Sequence, residues 1–385
     1  MTASIQNVHQ LEDLLSDPTP DVVQTMGRLE GDLIVLGVAG KMGPSLARIA
    51  RRASDLSGRK RRIIGVARFS SSEVQAGLER HGIETIRCDL LDEEAVRQLP
   101  DAPNVLYLAG MKFGATGQES LTWAMNSYLP AIVCRQFPRS RIVAFSTGNV
   151  YGLVPAAGGR QTITGVGTAR PHVRPEKGAS GGDGPSPPRS LDLHELAPAT
   201  GAGSLETDQP APIGEYAMSC LGRERIFEHF SRTQRTAVAL IRLNYACDLR
   251  YGVLVDLAKK VLADAPVDLA MSWFNTIWQG DANAMTLRCF DHVASPPLVL
   301  NLTGPELLNV RVTCEQFGEL LGREPLFAGQ ESPTALLSNA QRAFSLFGHP
   351  RVSAAQLITW VADWLRRGAP TLNRPTHFES RNGKF

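Results

Sequence analysis

Seven short apolar runs set the strongest limit on how this chain can fold: Leu33–Val38, Ile63–Ala67, Thr85–Asp89, Val105–Ala109, Ile142–Ser146, Ala237–Asn244 and Leu298–Leu302. A strand with one wet face alternates apolar and polar residues. Most of these runs do not alternate, which is what parallel strands covered on both faces require. Helix-like stretches intervene, among them Pro44–Ala53, Glu93–Leu99, Glu119–Phe137 and Tyr216–Ser231. The alternation predicts an α/β fold, a Rossmann-like doubly wound parallel sheet. Residues 1–30 read as a helical extension and 31–245 as the sheet domain. After 245 a helix at Val253–Ala263, a polar-aromatic stretch and helices near 313–321, 337–347 and 353–367 predict a smaller, mostly helical lobe over 246–369, with segments returning to the sheet. An irregular tail follows over 370–385.

Composition matters most between residues 153 and 213, which are rich in Gly and Pro and contain no Phe, Trp or Tyr. A stretch so poor in large apolar groups cannot offset the entropy of ordering itself, so 155–202 reads as a disordered insertion, with 204–216 ordered against the rest. Over the whole chain 40 basic and 38 acidic residues nearly cancel. That balance gives no field for nucleic acid or a membrane surface. The six Cys include no C-x-x-C pair, and the eight His show no ligand-like clustering. The reading is therefore reduced thiols in a cytoplasmic protein without a metal site. The first residues lack the basic and apolar regions of a signal peptide, and no apolar run is long enough to span a bilayer.

The first strand runs directly into Gly37-Val-Ala-Gly40-Lys41-Met42-Gly43 and a helix. Glycines allow the tight turn, and without Cβ atoms they let a pyrophosphate reach backbone N–H groups at a helix N-terminus. Strand, turn and helix together predict a dinucleotide site. At the end of the second strand, an acid would pair a ribose 2′-hydroxyl and favour NAD. Arg68 stands there instead, followed by Ser70 and Ser71, and can pair a 2′-phosphate, which favours NADP over NAD.

These residues, with Phe145-Ser-Thr147-Gly-Asn149-Val-Tyr151-Gly152 and Gly214-Glu-Tyr216-Ala-Met-Ser-Cys220, resemble the NAD(P)-dependent epimerase/dehydratase family. These extended short-chain dehydrogenase/reductases include UDP-galactose 4-epimerases and nucleotide-sugar dehydratases. The resemblance covers roughly 31–365, interrupted by the insertion. It implies that Asp89 and Leu90 border the adenine, that Leu108, Ala109, Gly110 and Lys112 lie in the loop over the cofactor, and that Asn126 supports the site. Thr147 and Tyr216 take the catalytic positions, and Asn149 and Asn244 fall where substrate is contacted. The family commonly dimerises through the helices at 119–137 and 216–231, which implies a homodimer here.

One departure bears directly on chemistry. The family's motif is Y-x-x-x-K, and here the Lys position holds Cys220, four residues after Tyr216 and on the same helical face. A free phenol titrates near ~10, and a neighbouring ammonium lowers that value. A neutral thiol does not, and losing a tuned acid–base group costs roughly 10²–10⁴ in rate. Three readings stay open: another cation substitutes, with Lys112 the best candidate and Arg223 less able to reach; Cys220 takes part as thiol or thiolate; or Cys220 is a small buried residue beside a vestigial Tyr216.

In Ser272–Gln279, Trp273, Asn275 and Trp278 read either as a sugar-stacking wall or as a core contact between lobes. The resemblance implies an oxidoreductase or epimerase acting by hydride transfer on a sugar-type hydroxyl. A dinucleotide-binding protein without chemistry is the alternative. A dehydratase fits least, because Gly148-Asn149 replaces that branch's Asp-Glu pair.

Overall fold

A computed structural model describes residues 4–112, 114, 116–156 and 202–384. The insertion expected over 155–202 lies almost wholly outside these residues. All seven apolar runs become strands of one parallel sheet: β1 (Leu33–Leu36), β2 (Ile63–Ala67), β3 (Glu84–Arg87), β4 (Asn104–Tyr107), β5 (Arg141–Thr147), β6 (Val238–Leu243) and β7 (Leu298–Leu302). The spatial order is β7-β6-β5-β4-β1-β2-β3, with every pairing parallel. The order reverses between β1 and β4, and this switch point opens a crevice at the carboxyl ends of the strands.

Burial on both faces explains the apolar runs. In β1, Leu33 and Val35 enter the core on one face, while Ile34 and Leu36 enter the core on the other. The first core takes the helix Gly43–Leu56 and, from distant parts of the chain, Pro20–Arg28, Gln279–Arg288 and Gln341–Phe347. The second takes Leu129–Gln136 and Gly214–Gln234. A third core builds the lobe around Val253–Leu262, Val310–Leu321 and Ala354–Arg366, joined by Leu11 and Leu15 of the first helix and Phe378 of the tail. The chain therefore passes between sheet and lobe several times after 245.

Between Glu119 and Gln136 the helical path is interrupted by one wide π turn, Ala124–Tyr128, which carries the buried Asn126. Turns of this kind are frequent at functional sites. Residues 204–211 pack inward: Ser204 N–H donates to Leu337 O at 2.9 Å, and Ala211 N–H to Val150 O at 3.0 Å. Among the described residues, no helix is long and apolar enough to cross a membrane.

Candidate active site

The glycine turn is shaped by contacts on both sides. Gly37 has φ +86°, and a Cβ there would lie 2.8 Å from the Ala109 nitrogen. At Gly43 a Cβ would lie 2.1 Å from Val38 O. Gly40 differs, since its Cβ would meet only Gly37 O at 3.4 Å. Packing therefore demands glycine at 37 and 43 but leaves open space at 40. The helix that follows has no side-chain cap, and the Lys41 and Met42 N–H groups take no acceptor among the described residues. Uncapped donors under an open glycine are a cradle that fits a diphosphate.

Across the crevice, at the same carboxyl end of the sheet, Thr147 closes β5 and Tyr216 lies in the first turn of Gly214–Gln234. Thr147 and Cys220 both act on the Tyr216 phenol. Thr147 Oγ1 donates to Asn149 Oδ1 at 3.0 Å. The Lys112 ammonium lies 5.8 Å from the Tyr216 ring centroid. These four residues, with Lys41, Met42, Asn149, Asn244, Tyr245, Tyr251 and Thr376, surround the same ground: all but Cys220 line a cavity of ≈160 Å³. Cys220 is buried behind Tyr216 against Val150 and Tyr151.

The electrostatics follow from burial. Burial pushes the Tyr216 phenol well above its usual value; Cys220 adds to the rise, while Arg223 and Thr147 oppose it. The Cys220 thiol is also raised by burial, against the pull of Arg223. Lys112 is held down to about 8, chiefly by desolvation, with Cys220 and Asp256 partly restoring its charge. Lys41 is lowered by burial as well, and its Nζ donates to Ala246 O at 2.7 Å.

Asn126 ties the loop after β4 to the helices. Its Oδ1 accepts from Met111 N–H at 2.9 Å, and its Nδ2 donates to Met111 O and to Ser219 Oγ, both at 2.9 Å. Arg223 lies closer to the site than its sequence position suggested. It is buried, donating to Asn126 Oδ1 at 2.6 Å and to Phe145 O at 2.8 Å. Beneath β5, Glu224 accepts from Ser146 Oγ at 2.5 Å and from Arg242 at 2.9 and 2.7 Å. Arg242 also donates to Tyr151 OH at 2.6 Å, which donates to Asn301 Oδ1 at 2.8 Å.

The remaining expected residues divide. Arg68 is exposed just past β2, and Arg87, at the end of β3, donates to its carbonyl at 2.9 Å. Asp89 forms a local turn by accepting from Leu91 N–H, and Leu90 is buried. Leu108, Ala109 and Gly110 form the strand end facing Gly37, as the Ala109 contact requires. Asn244 lines the cavity but donates to Asn275 Oδ1 at 2.8 Å. Asn275 in turn donates to Ser338 O at 2.6 Å and is not among the lining residues. Neither is Trp273, which pairs with Asn309 against the lobe core. Trp278 is buried there, edge to face with Trp360 at 5.6 Å. For these three positions the core reading describes what they touch. Sequence reasoning missed Thr376, Tyr245 and Tyr251, of which only Tyr245 has a marked neighbour, Asn244.

Comparison with known protein families gives no match, and comparison with curated proteins gives none either. Solved structures do match. A UDP-glucose 4-epimerase of Thermotoga maritima, solved with UDP-glucose, superposes with a TM-score of 0.62 at 16% identity, covering 88% of this chain and 99% of that one. A UDP-glucuronic acid 4-epimerase of Bacillus cereus, in complex with UDP-glucuronic acid and NAD, gives 0.62 at 14%, over 87% and 99%. A dTDP-glucose 4,6-dehydratase of Bacillus anthracis, in complex with NAD, gives 0.61 at 14%, over 88% and 97%. The chain shares its fold with these three structures. Within that fold, the glycine turn and the Thr147–Tyr216 pair sit at two ends of one crevice.

Proposed function

We propose that the chain is an NAD(P)-dependent oxidoreductase or epimerase acting on a hydroxyl of a sugar or nucleotide sugar. The observation that carries this reading is that Tyr216 and Thr147 line one cavity with Lys41 and Met42 of the glycine turn. A nicotinamide group, when bound, supplies the hydride acceptor and donor. Lys41 and Met42 N–H groups would hold its diphosphate, and Asp89 and Leu90 would border the adenine. Thr147 would position the substrate hydroxyl, and Tyr216, once ionised beside the Lys112 ammonium, would take its proton as the phenolate. Lys112, 5.8 Å from the ring, would provide the cation that Cys220 does not.

The test is turnover of UDP- and dTDP-sugars by the purified protein with NAD and NADP. Product formation is expected, and Tyr216→Phe should lower it by about 10²–10⁴ with cofactor binding kept. A wild-type protein without turnover, or a Tyr216→Phe variant with full turnover, sinks the catalytic assignment. A second reading, cofactor binding without chemistry, draws on the raised Tyr216 and Cys220 values: both groups are neutral near pH 7 in the unliganded site. Cys220→Lys separates the two. A large gain in turnover identifies a weakened enzyme.

Arg68 supports NADP. Replacing it with Gln should cost about 1.5–3 kcal/mol in NADPH binding, the worth of a charged hydrogen bond, and leave NADH unchanged. Equal effects on both cofactors would refute the preference. A homodimer is supported by the exposed Leu121, Trp123, Tyr128 and Met218 on the two helical segments expected at such an interface. Sedimentation should give a dimer that Met218→Glu dissociates; a wild-type monomer removes this part of the proposal.

A further inference from the structure

The tail after Pro370 has no regular secondary structure, yet it is tied down along its length. Leu372 N–H donates to Arg250 O at 3.0 Å. Thr376 donates twice to Asp256 Oδ2, from its N–H at 2.7 Å and from its Oγ1 at 2.6 Å. Phe378 is buried beside Phe274, with ring centroids 6.1 Å apart. Arg381 donates to Ala270 O, Thr334 O and Thr334 Oγ1 at 2.7–3.0 Å. Gly383 then packs on Gly214, where a Cβ would lie 2.6 Å from Gly383 O, in the first turn of the helix that carries Tyr216.

Such anchoring orders a segment that composition alone would leave loose, and it delivers one residue to the site. Thr376 is buried and lines the cavity beside Tyr216, and its carbonyl accepts a long 3.5 Å contact from Lys112 Nζ. We propose that Thr376, clamped by Asp256, is a positioning residue that holds the Lys112 ammonium at the Tyr216 ring, making the tail part of the active site. This rests on the assignment of Lys112 as the substitute cation. Asp256 has two roles in the arrangement. Its carboxylate fixes the tail, and its charge acts on Lys112 from the helix Val253–Leu262, opposite Cys220 and Tyr216 on Gly214–Gln234.

Titration of Lys112 in the full chain tests this without needing turnover. Reductive methylation with ¹³C-formaldehyde gives each lysine a resonance, and the one lost in Lys112→Arg is assigned. In wild type its midpoint should fall below those of the exposed lysines. Thr376→Val should raise it by about half a unit or more as water enters, and Thr376→Ser should restore it. Asp256→Asn, which keeps an acceptor for the tail and removes the charge, should lower it. A midpoint indifferent to Thr376→Val, a Ser variant no better than Val, or no response to Asp256→Asn overturns the proposal. If Thr376→Val does not fold, the Asn response decides. NADH and NADPH fluorescence titrations run alongside. A protein that binds neither cofactor refutes the enzymatic reading and leaves the Lys112 titration to decide the tail's role.

Discussion

The two ends of the crevice are built differently. At the glycine turn, backbone from a single stretch of chain offers N–H donors, and the side chains contribute chiefly by being absent. At the tyrosine end the groups are side chains from segments as far apart as Lys112, Thr147, Tyr216, Asp256 and Thr376, each held by its own partners. The first arrangement withstands change anywhere except at its own glycines. The second depends on packing throughout the molecule, and burial sets the charge of its members.

The largest expected effect comes from the foundation of the tyrosine end. Glu224, on the Tyr216 helix, and Arg242, on β6, are paired beneath β5 with both side chains almost fully buried. Replacing Arg242 with Met leaves a carboxylate buried without its cation, which costs about 3–5 kcal/mol. Chemical denaturation should show that loss, while Arg62→Met, whose partner Asp32 is near the surface, should cost under about 1 kcal/mol. A small effect at Arg242 would mean that the tyrosine end does not rest on this pair.

The next prediction separates packing from binding at the glycine turn. Gly43→Ala puts a methyl against Val38 O and should destabilise the fold by about 1–3 kcal/mol, as overpacking does. Gly40→Ala meets no comparable obstacle, so its melting temperature should be close to wild type while dinucleotide affinity falls. Loss of stability at Gly40, or unchanged affinity, would show that this glycine does not serve as the opening for a diphosphate.

The contrast also explains what could be read from the sequence. Strand, turn and helix at 33–43 are local, and their code is contiguous: apolar residues, then glycines, then a helix start. The i,i+4 pair Tyr216–Cys220 was legible for the same reason. Thr376 was not. Its carbonyl meets Lys112 across 264 residues of chain, and a Thr in a proline-containing tail carries no periodic signal. Aromatic content left Trp273 and Trp278 open between a stacking wall and a core contact, because a Trp that faces a lobe core and one that faces a ligand have the same composition. Only the pairing of Trp273 with Asn309 decides which way that segment turns. The π turn at Asn126 was invisible for a related reason: one extra residue in a helix alters which side chains align without altering the local propensity.

The smallest effect is a slope. Lys112 sits at about 8 in the folded protein, against ~10.4 for an unperturbed lysine, chiefly because burial disfavours its charged form. Between these values the unfolded chain binds more protons than the native one, so stability rises with pH through this window. Below about pH 8 both states carry the charge, and the native state bears the full desolvation cost. Above the unfolded value neither is charged, and the cost is gone. Lys112→Met removes the titration. Denaturation from pH 7.5 to 10 should therefore show a stability gain in wild type that is reduced in Lys112→Met, with the two closest at the alkaline end. Because the Lys112 side chain is not fully enclosed, water will weaken the slope. Parallel curves would mean that Lys112 titrates as an ordinary surface lysine, and the tyrosine end would then have to find its cation in the buried Arg223, whose guanidinium already acts on both Tyr216 and Cys220.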